Sequence, residues 1–278
     1  MRDTVQSHQL ALQARQWLQQ QPPLPLPGSG HTLERWRALA AIGGHDLCLA
    51  KVLEAHYDAL AILAELGGEA HPDALLAVWA AEGPASTLRF DAATGTVSGD
   101  KPWCSGAGLV DAALVTADTD EGKALFLMET GAQLESEPDV WPATGMSRVP
   151  SATARFVAVP AIRLGTPGAY IERPGFWHGG AGIAAVWYGA AEHLADAAVA
   201  VASDPLRERL AGSMALALAP AAAVLRELAV RIDTMPHEGH RYQVVLARSV
   251  VERACVRVLD LVGRALGRDT ARRGQGPR

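Results

Sequence analysis

The chain has 278 residues, 49% of them apolar and 20% charged, with a formal net charge of −5 at pH 7. That describes a globular protein with material for one large core or two to three smaller ones. The acidic balance argues against broad nucleic-acid binding, which needs surplus lysine and arginine to displace counterions.

Residues 5 to 20 read as a short amphipathic helix that stops at "QQPPLPLPGSG", where prolines and glycines favour an extended linker. A second helix is expected from Thr32, with Glu34 as an early acid and Gly43-Gly44 as an interruption. A third runs from Asp46 to Gly67-Gly68, with Leu49, Val52, Leu53, His56, Leu60 and Leu63 at helical spacing. From about 75 to 165 the pattern changes. Leu88 and Phe90, a turn at Thr94-Gly95 and then Val97 read as a hairpin. "AALVTAD" and "KALFLMET" flank an acidic turn, and "SATARFVAVPA" alternates up to Pro160, so a small antiparallel barrel or sandwich is expected.

Beyond residue 176 the pattern is helical again. An Ala-rich helix spans 178 to 202, and a second spans 205 to 232, kinked or split by Pro220. From 240 to 266, Val244, Ala247, Val251, Ala254, Cys255, Val258, Val262 and Ala265 form one broad apolar face, with Arg253, Arg257 and Arg264 opposite. The tail from Gly267 reads as frayed or disordered. The order makes an α+β chain, mostly α: an N-terminal helical domain at 1–74, a central β domain at 75–165 and a C-terminal helical bundle at 166–278.

Cys48, Cys104 and Cys255 show no CxxC spacing, which argues against a disulfide framework or zinc ribbon and fits a reducing cytoplasm. The Gln-rich, charged N-terminus is unlike a signal peptide, and no stretch nears ~18 uninterrupted apolar residues, so a cytoplasmic chain without a membrane span is expected. "GAGIAA" at 180–185 spells a dinucleotide loop but lacks the strand that should precede it. Ser98 and Lys101 spell SxxK without the helix that motif needs. Cys104 reads as a small strand residue rather than a nucleophile, having no His in its loop. His237 and His240 lie in a Pro/Gly turn and read as exposed, and no metal site is expected. Glu172, in "YIERPGFW", is a carboxylate among aromatic residues; such surroundings raise proton affinity and suit a general base. The plainer reading is an ion pair with Arg173 or Arg163.

Four segments in order, "VWAAEGPAS", "VSGDKPWCSGAGLVDAALVTA", "WPATGMSRVPSATARFVAVPA" and the glycine-opened helix, resemble the acyl-CoA dehydrogenase family over about residues 35 to 267. The resemblance implies a helical domain, a β domain and a bundle, with FAD as cofactor. The family's "G-x-K-x-W-I-T-N-G" reads "GDKPWCSGA" here, which implies Trp103 against the isoalloxazine ring and Ser105 in the place of the flavin-contacting Thr. An aromatic plane packs on a planar cofactor, and a hydroxyl steadies charge on its reduced form. The family's "T-E-P-x-A-G-S" reads "AAEGPAS", with Ala81 in place of the Thr and Ser86 in place of the final Ser.

The same resemblance implies α,β-dehydrogenation of an acyl-CoA or similar thioester, an electron-transfer partner, and a homodimer or homotetramer assembled through the bundle. Most of the family takes its base from a loop before the last long helix, and this chain ends at Arg278, ahead of such a segment. A minority places the base on the first bundle helix in an "L-E-R" context, which here points to Glu172. Two other readings stand beside this one. One is a flavin-dependent monooxygenase on the same fold, which needs no glutamate base. The other is a non-catalytic scaffold.

Overall fold

A computed structural model describes residues 2–131, 134–136, 145–200 and 204–273. The chain groups into two compact units that cut across the three consecutive segments expected from sequence. The first comprises the chain up to Leu24 with Cys48–Phe176, and the second comprises Pro25–Leu47 with the chain from Trp177 onward.

The first unit holds helices α1 (Arg2–Gln20) and α3 (Leu47–Leu66), eight strands and the one-turn helix α4 (Ala169–Glu172). The strands are β1 (Leu76–Trp79), β2 (Arg89–Asp91), β3 (Thr96–Ser105), β4 (Ala112–Thr119), β5 (Gly122–Glu129), β6 (Leu134–Ser136), β7 (Ser151–Pro160) and β8 (Ile162–Leu164). They form one sheet in the order β6-β7-β3-β2-β4-β5-β8, with β1 on β4. Most pairings are antiparallel, as expected, but β1 and β2 each run parallel to β4. The two hairpins fall where turn residues stand: Gly95 at φ 69° closes β2–β3, and Gly122 at φ 123° closes β4–β5. One face of α3 (Ala59, Ile62, Leu63) packs on Leu76, Leu114, Leu125 and Leu164, which gives this unit an apolar core. Arg15 of α1 grips both carboxylate oxygens of Asp111 at 2.8 Å.

His56 is buried in α3, and its Nδ1 accepts a hydrogen bond from the Leu76 backbone N–H at 3.2 Å. Burial pulls its pKa from 6.5 down to about 4. A depressed histidine stabilises the fold above its unfolded pKa and loses that contribution as pH falls toward its folded one. Urea unfolding at about pH 7.5 and about pH 5 is therefore expected to differ by about 2 kcal/mol, with His56→Asn flattening the difference. An equal pH slope in that variant would contradict the assignment.

The second unit holds α2 (Thr32–His45), α5 (Gly175–Ala200), α6 (Pro205–Thr234) and α7 (Arg241–Arg273). Asp204 caps α6 by accepting from the N–H groups of Leu206 and Arg207 at 3.0 Å, with Pro205 at the first helical position. Ala191, Ala195 and Ala198 of α5 pack with Met214 and Leu218 of α6 and with Val258 and Leu261 of α7. An 18-residue window of α6 has a mean hydropathy of 1.5, long and apolar enough to cross a membrane by composition; its inward stripe packs in this helical core.

Several expectations need correction. Gly43 and Gly44 do not interrupt α2 but lie inside it, because they face α5 at close range. Pro220 does not split α6, which is continuous across it. α7 continues to Arg273, beyond the expected start of a frayed tail at Gly267. The apolar face from Val244 to Ala265 is buried within the unit and is not free for a partner. A different stripe of α7 is exposed: Tyr242, Val245, Leu246, Val256 and Leu259. His240 is buried rather than exposed, stacked 6.0 Å from His178, with Nε2 3.0 Å from the Met235 carbonyl.

Candidate functional site

Strand β3 breaks its own alternation at the segment singled out by sequence. Lys101, Pro102 and Cys104 are buried, Trp103 is exposed and Ser105 is half-buried. Lys101 opposes Ala154 on β7 while Cys104 opposes Ala152, so β3 carries one extra residue in this interval. Such a bulge re-aims side chains. Without it, Lys101 and Trp103 would share a face; with it, the lysine turns inward and the indole outward. Trp103 takes φ 58°, a left-handed conformation that costs a non-glycine residue roughly 1–2 kcal/mol. The indole remains 56% exposed.

Beneath the indole lies Gly83. A Cβ on Gly83 would come within 2.8 Å and 2.9 Å of the outer ring carbons of Trp103, so a larger residue there would push the indole from this position. Gly83 belongs to a tight turn in which the Ser86 N–H donates to the Gly83 carbonyl at 2.9 Å. Two further bonds stitch the turn to β3. The Thr87 N–H donates to the Asp100 carbonyl and the Asp100 N–H to Thr87 Oγ1, each at 2.9 Å. Ser86 is half-buried in this turn. The Ser105 hydroxyl lies 3.1 Å from that of Ser151, and the Ser105 carbonyl accepts from Trp79 Nε1 at 2.9 Å. Trp103 and the 83–86 turn thus meet through Gly83, while Ser105, two residues further along β3, is engaged by Ser151 and Trp79.

Glu172 stands elsewhere. It is exposed at the end of α4, which packs on β5, and β5 is separated from β3 by β2 and β4 in the sheet order. The expected enclosure by aromatic rings is not observed: Tyr170 and Phe176 pack on each other at 5.5 Å, and Glu172 points away from the core. The four-residue helix is too short to bury a second face, so Ile171 and Glu172 face solvent. The expected ion pairs are also absent. Arg173 donates to Glu65 at 2.7 Å and Arg163 to Glu121 at 2.9 Å.

Cys104 is fully buried, and burial pushes its thiol up to about 12, so it is no nucleophile. The "GAGIAA" stretch lies inside α5, where Gly182 permits close packing of Leu39.

Sequence reasoning missed the polar cluster behind Trp103. Lys101 Nζ donates to Glu82 Oε1 at 2.7 Å, to Thr116 Oγ1 at 2.8 Å and to the Thr116 carbonyl at 3.0 Å. Thr116 Oγ1 in turn donates to Glu82 Oε1 at 2.7 Å, and Lys123 Nζ lies 3.4 Å from Glu82 Oε2. Partial burial alone would raise the Glu82 pKa, but the hydrogen bonds from Lys101 and Thr116 and the two ammonium charges hold it down at about 2. Burial pulls the Lys101 pKa down, and the Glu82 carboxylate resists that pull. The only local signal was Lys101 standing in a strand beside Pro102 and Trp103; a lysine buried there needs an acid partner, and nothing in the spacing names Glu82.

Neither a family model nor a curated protein matches the sequence. Solved structures do match. Butyryl-CoA dehydrogenase from Megasphaera elsdenii superposes with a TM-score of 0.70 at 18% identity, over 85% of this chain and 72% of that one. Glutaryl-CoA dehydrogenase from Mycobacterium smegmatis, in complex with FADH2, gives 0.72 at 16% identity, over 94% and 84%. Dibenzothiophene monooxygenase from Paenibacillus sp. A11-2 gives 0.71 at 20% identity, over 98% and 88%. The chain has the acyl-CoA dehydrogenase fold. On that fold, two segments that carried the sequence resemblance meet in space, through Gly83 of "AAEGPAS" and Trp103 of "GDKPWCSGA". Part of the third, from Trp141 to Thr144, lies outside the described residues.

Proposed function

We propose that this chain is a flavin-dependent oxidoreductase that seats FAD against Trp103 and dehydrogenates an acyl-CoA or similar thioester at its α and β carbons. The observation that carries this reading is an exposed indole in a strained backbone conformation, with Gly83 in close contact at the outer end of the ring. A flat, solvent-facing aromatic surface backed by rigid backbone fits a planar ring. The names of the structural neighbours support it, since they include a dehydrogenase with FADH2 and the dibenzothiophene monooxygenase with FMN and indole.

When bound, a flavin supplies the two-electron redox chemistry that no side chain of this cluster can. Trp103 would hold the ring and shield it from water. Ser105 and, in the turn at Gly83, Ser86 would offer hydroxyls to its polar atoms. Dehydrogenation also needs a base for the α proton, and Glu172 is the candidate. Its exposed position on α4 favours a second reading, a flavin monooxygenase, in which no carboxylate base is required. Assembly into a homodimer or homotetramer finds support in the exposed apolar stripe of α7.

An anaerobic titration of the FAD-loaded protein with octanoyl-CoA separates the readings. Loss of the flavin's visible absorbance, abolished in Glu172→Gln with FAD retained, is the expected dehydrogenase result. Bleaching that survives in Glu172→Gln removes Glu172 as the base. No bleaching, together with oxygen uptake by the reduced protein, supports the monooxygenase. A protein that takes up no flavin supports the scaffold.

A further inference from the structure

We infer that Glu82 is a positioning residue for the Trp103 face: through its ion pair with buried Lys101 it sets the turn that floors the indole. The inference rests on the flavin reading above.

Lys101 is 0% exposed, and its three hydrogen-bond donors are all used, on Glu82 and on two oxygens of Thr116. Only the lysine of this pair is buried, the Glu82 side chain being 40% exposed, and its desolvation offsets the attraction, so the pair is weak evidence for stability. What this pair adds is geometry. Glu82 directly precedes Gly83, and Lys101 lies two residues before Trp103 across the bulge. One contact therefore joins the chain next to Gly83 with the chain next to Trp103, and Thr116 ties both to strand β4. The same inward turn of Lys101 that reaches Glu82 is the one the bulge uses to turn Trp103 outward. The hydrogen bonds and ammonium charges around Glu82 keep it ionised through the ordinary pH range, so the tether holds there and weakens only as pH falls from 4.5 toward about 2.

The test compares full-length wild type, Glu82→Gln and the double variant Glu82→Met with Lys101→Met. It reads FAD affinity, thermal midpoint and the fluorine NMR resonance of Trp103 in fluorotryptophan-labelled protein, assigned by its loss in Trp103→Phe. The double variant removes both charges of the pair and is expected to stay folded, with a midpoint lowered by the two Thr116 oxygens that lose the lysine. Both variants are expected to shift the Trp103 resonance and to bind FAD at least about tenfold more weakly. Wild-type affinity in the double variant overturns the inference, as does an unshifted resonance in both variants. If wild type binds no FAD, the flavin reading fails separately, and the resonance alone still reports whether Glu82 orders the indole.

Discussion

Gly189→Ala is expected to destabilise the helical unit by at least about 3 kcal/mol. At this position α5 crosses α2, and a Cβ would fall 1.9 Å from the Ala40 carbonyl oxygen, 2.4 Å from its carbon and 2.6 Å from its Cα. All three are backbone atoms of a regular helix, so no side chain can swing aside and one helix must move. Gly43 makes the reciprocal approach, with a would-be Cβ 2.3 Å from the Val186 carbonyl oxygen. Gly212→Ala is the matched control: it lies in the interior of α6 with nothing within 4 Å of its would-be Cβ. There the same change is expected to raise stability by about 0.5–1 kcal/mol, the ordinary preference of a helix for alanine. Urea unfolding of the pair checks both signs. Equal stability of Gly189→Ala and wild type would mean that the two helices do not cross at this spacing.

Trp103→Gly is expected to weaken FAD binding at least about 30-fold, the loss of a buried aromatic anchor worth about 2 kcal/mol. It is also expected to leave the fold within about 1 kcal/mol of wild type. Glycine accepts φ 58° without strain, which offsets its greater freedom in the unfolded chain. The indole is more than half exposed, so little core is lost. Few substitutions separate binding from folding this cleanly. Trp103→Ala combined with Ser105→Ala removes the hydroxyl as well and is expected to bind FAD more weakly still. Unchanged FAD affinity in either protein places the cofactor elsewhere.

Local signals were legible and long-range ones were not. The apolar spacing of Val244, Ala247, Val251, Ala254 and Val258 identified the buried face of α7, because helical period is written in neighbouring residues. The Thr94-Gly95 turn likewise located the β2–β3 hairpin. Gly43-Gly44 misled, since two glycines in a window read as a break. Their cause is the backbone of α5, more than 140 positions away in sequence. The Trp103–Ser105 stretch is legible through its family resemblance, yet the bulge that turns the indole outward depends on register with β7. The Glu82–Lys101 pair joins residues 19 apart, a loop and a strand with β2 between them, beyond any periodicity. Glu172 has aromatic neighbours in sequence, but the single helical turn of α4 points those rings at each other and the carboxylate at solvent.

The most direct measurement is an absorbance titration of the full chain with FAD, run beside Trp103→Gly. A saturable shift of the flavin's visible band in wild type, at one flavin per chain and greatly weakened in the folded variant, is the expected result. A band that keeps its free-solution shape at every ratio, or one that shifts equally in both proteins, would contradict a flavin seat built on this indole.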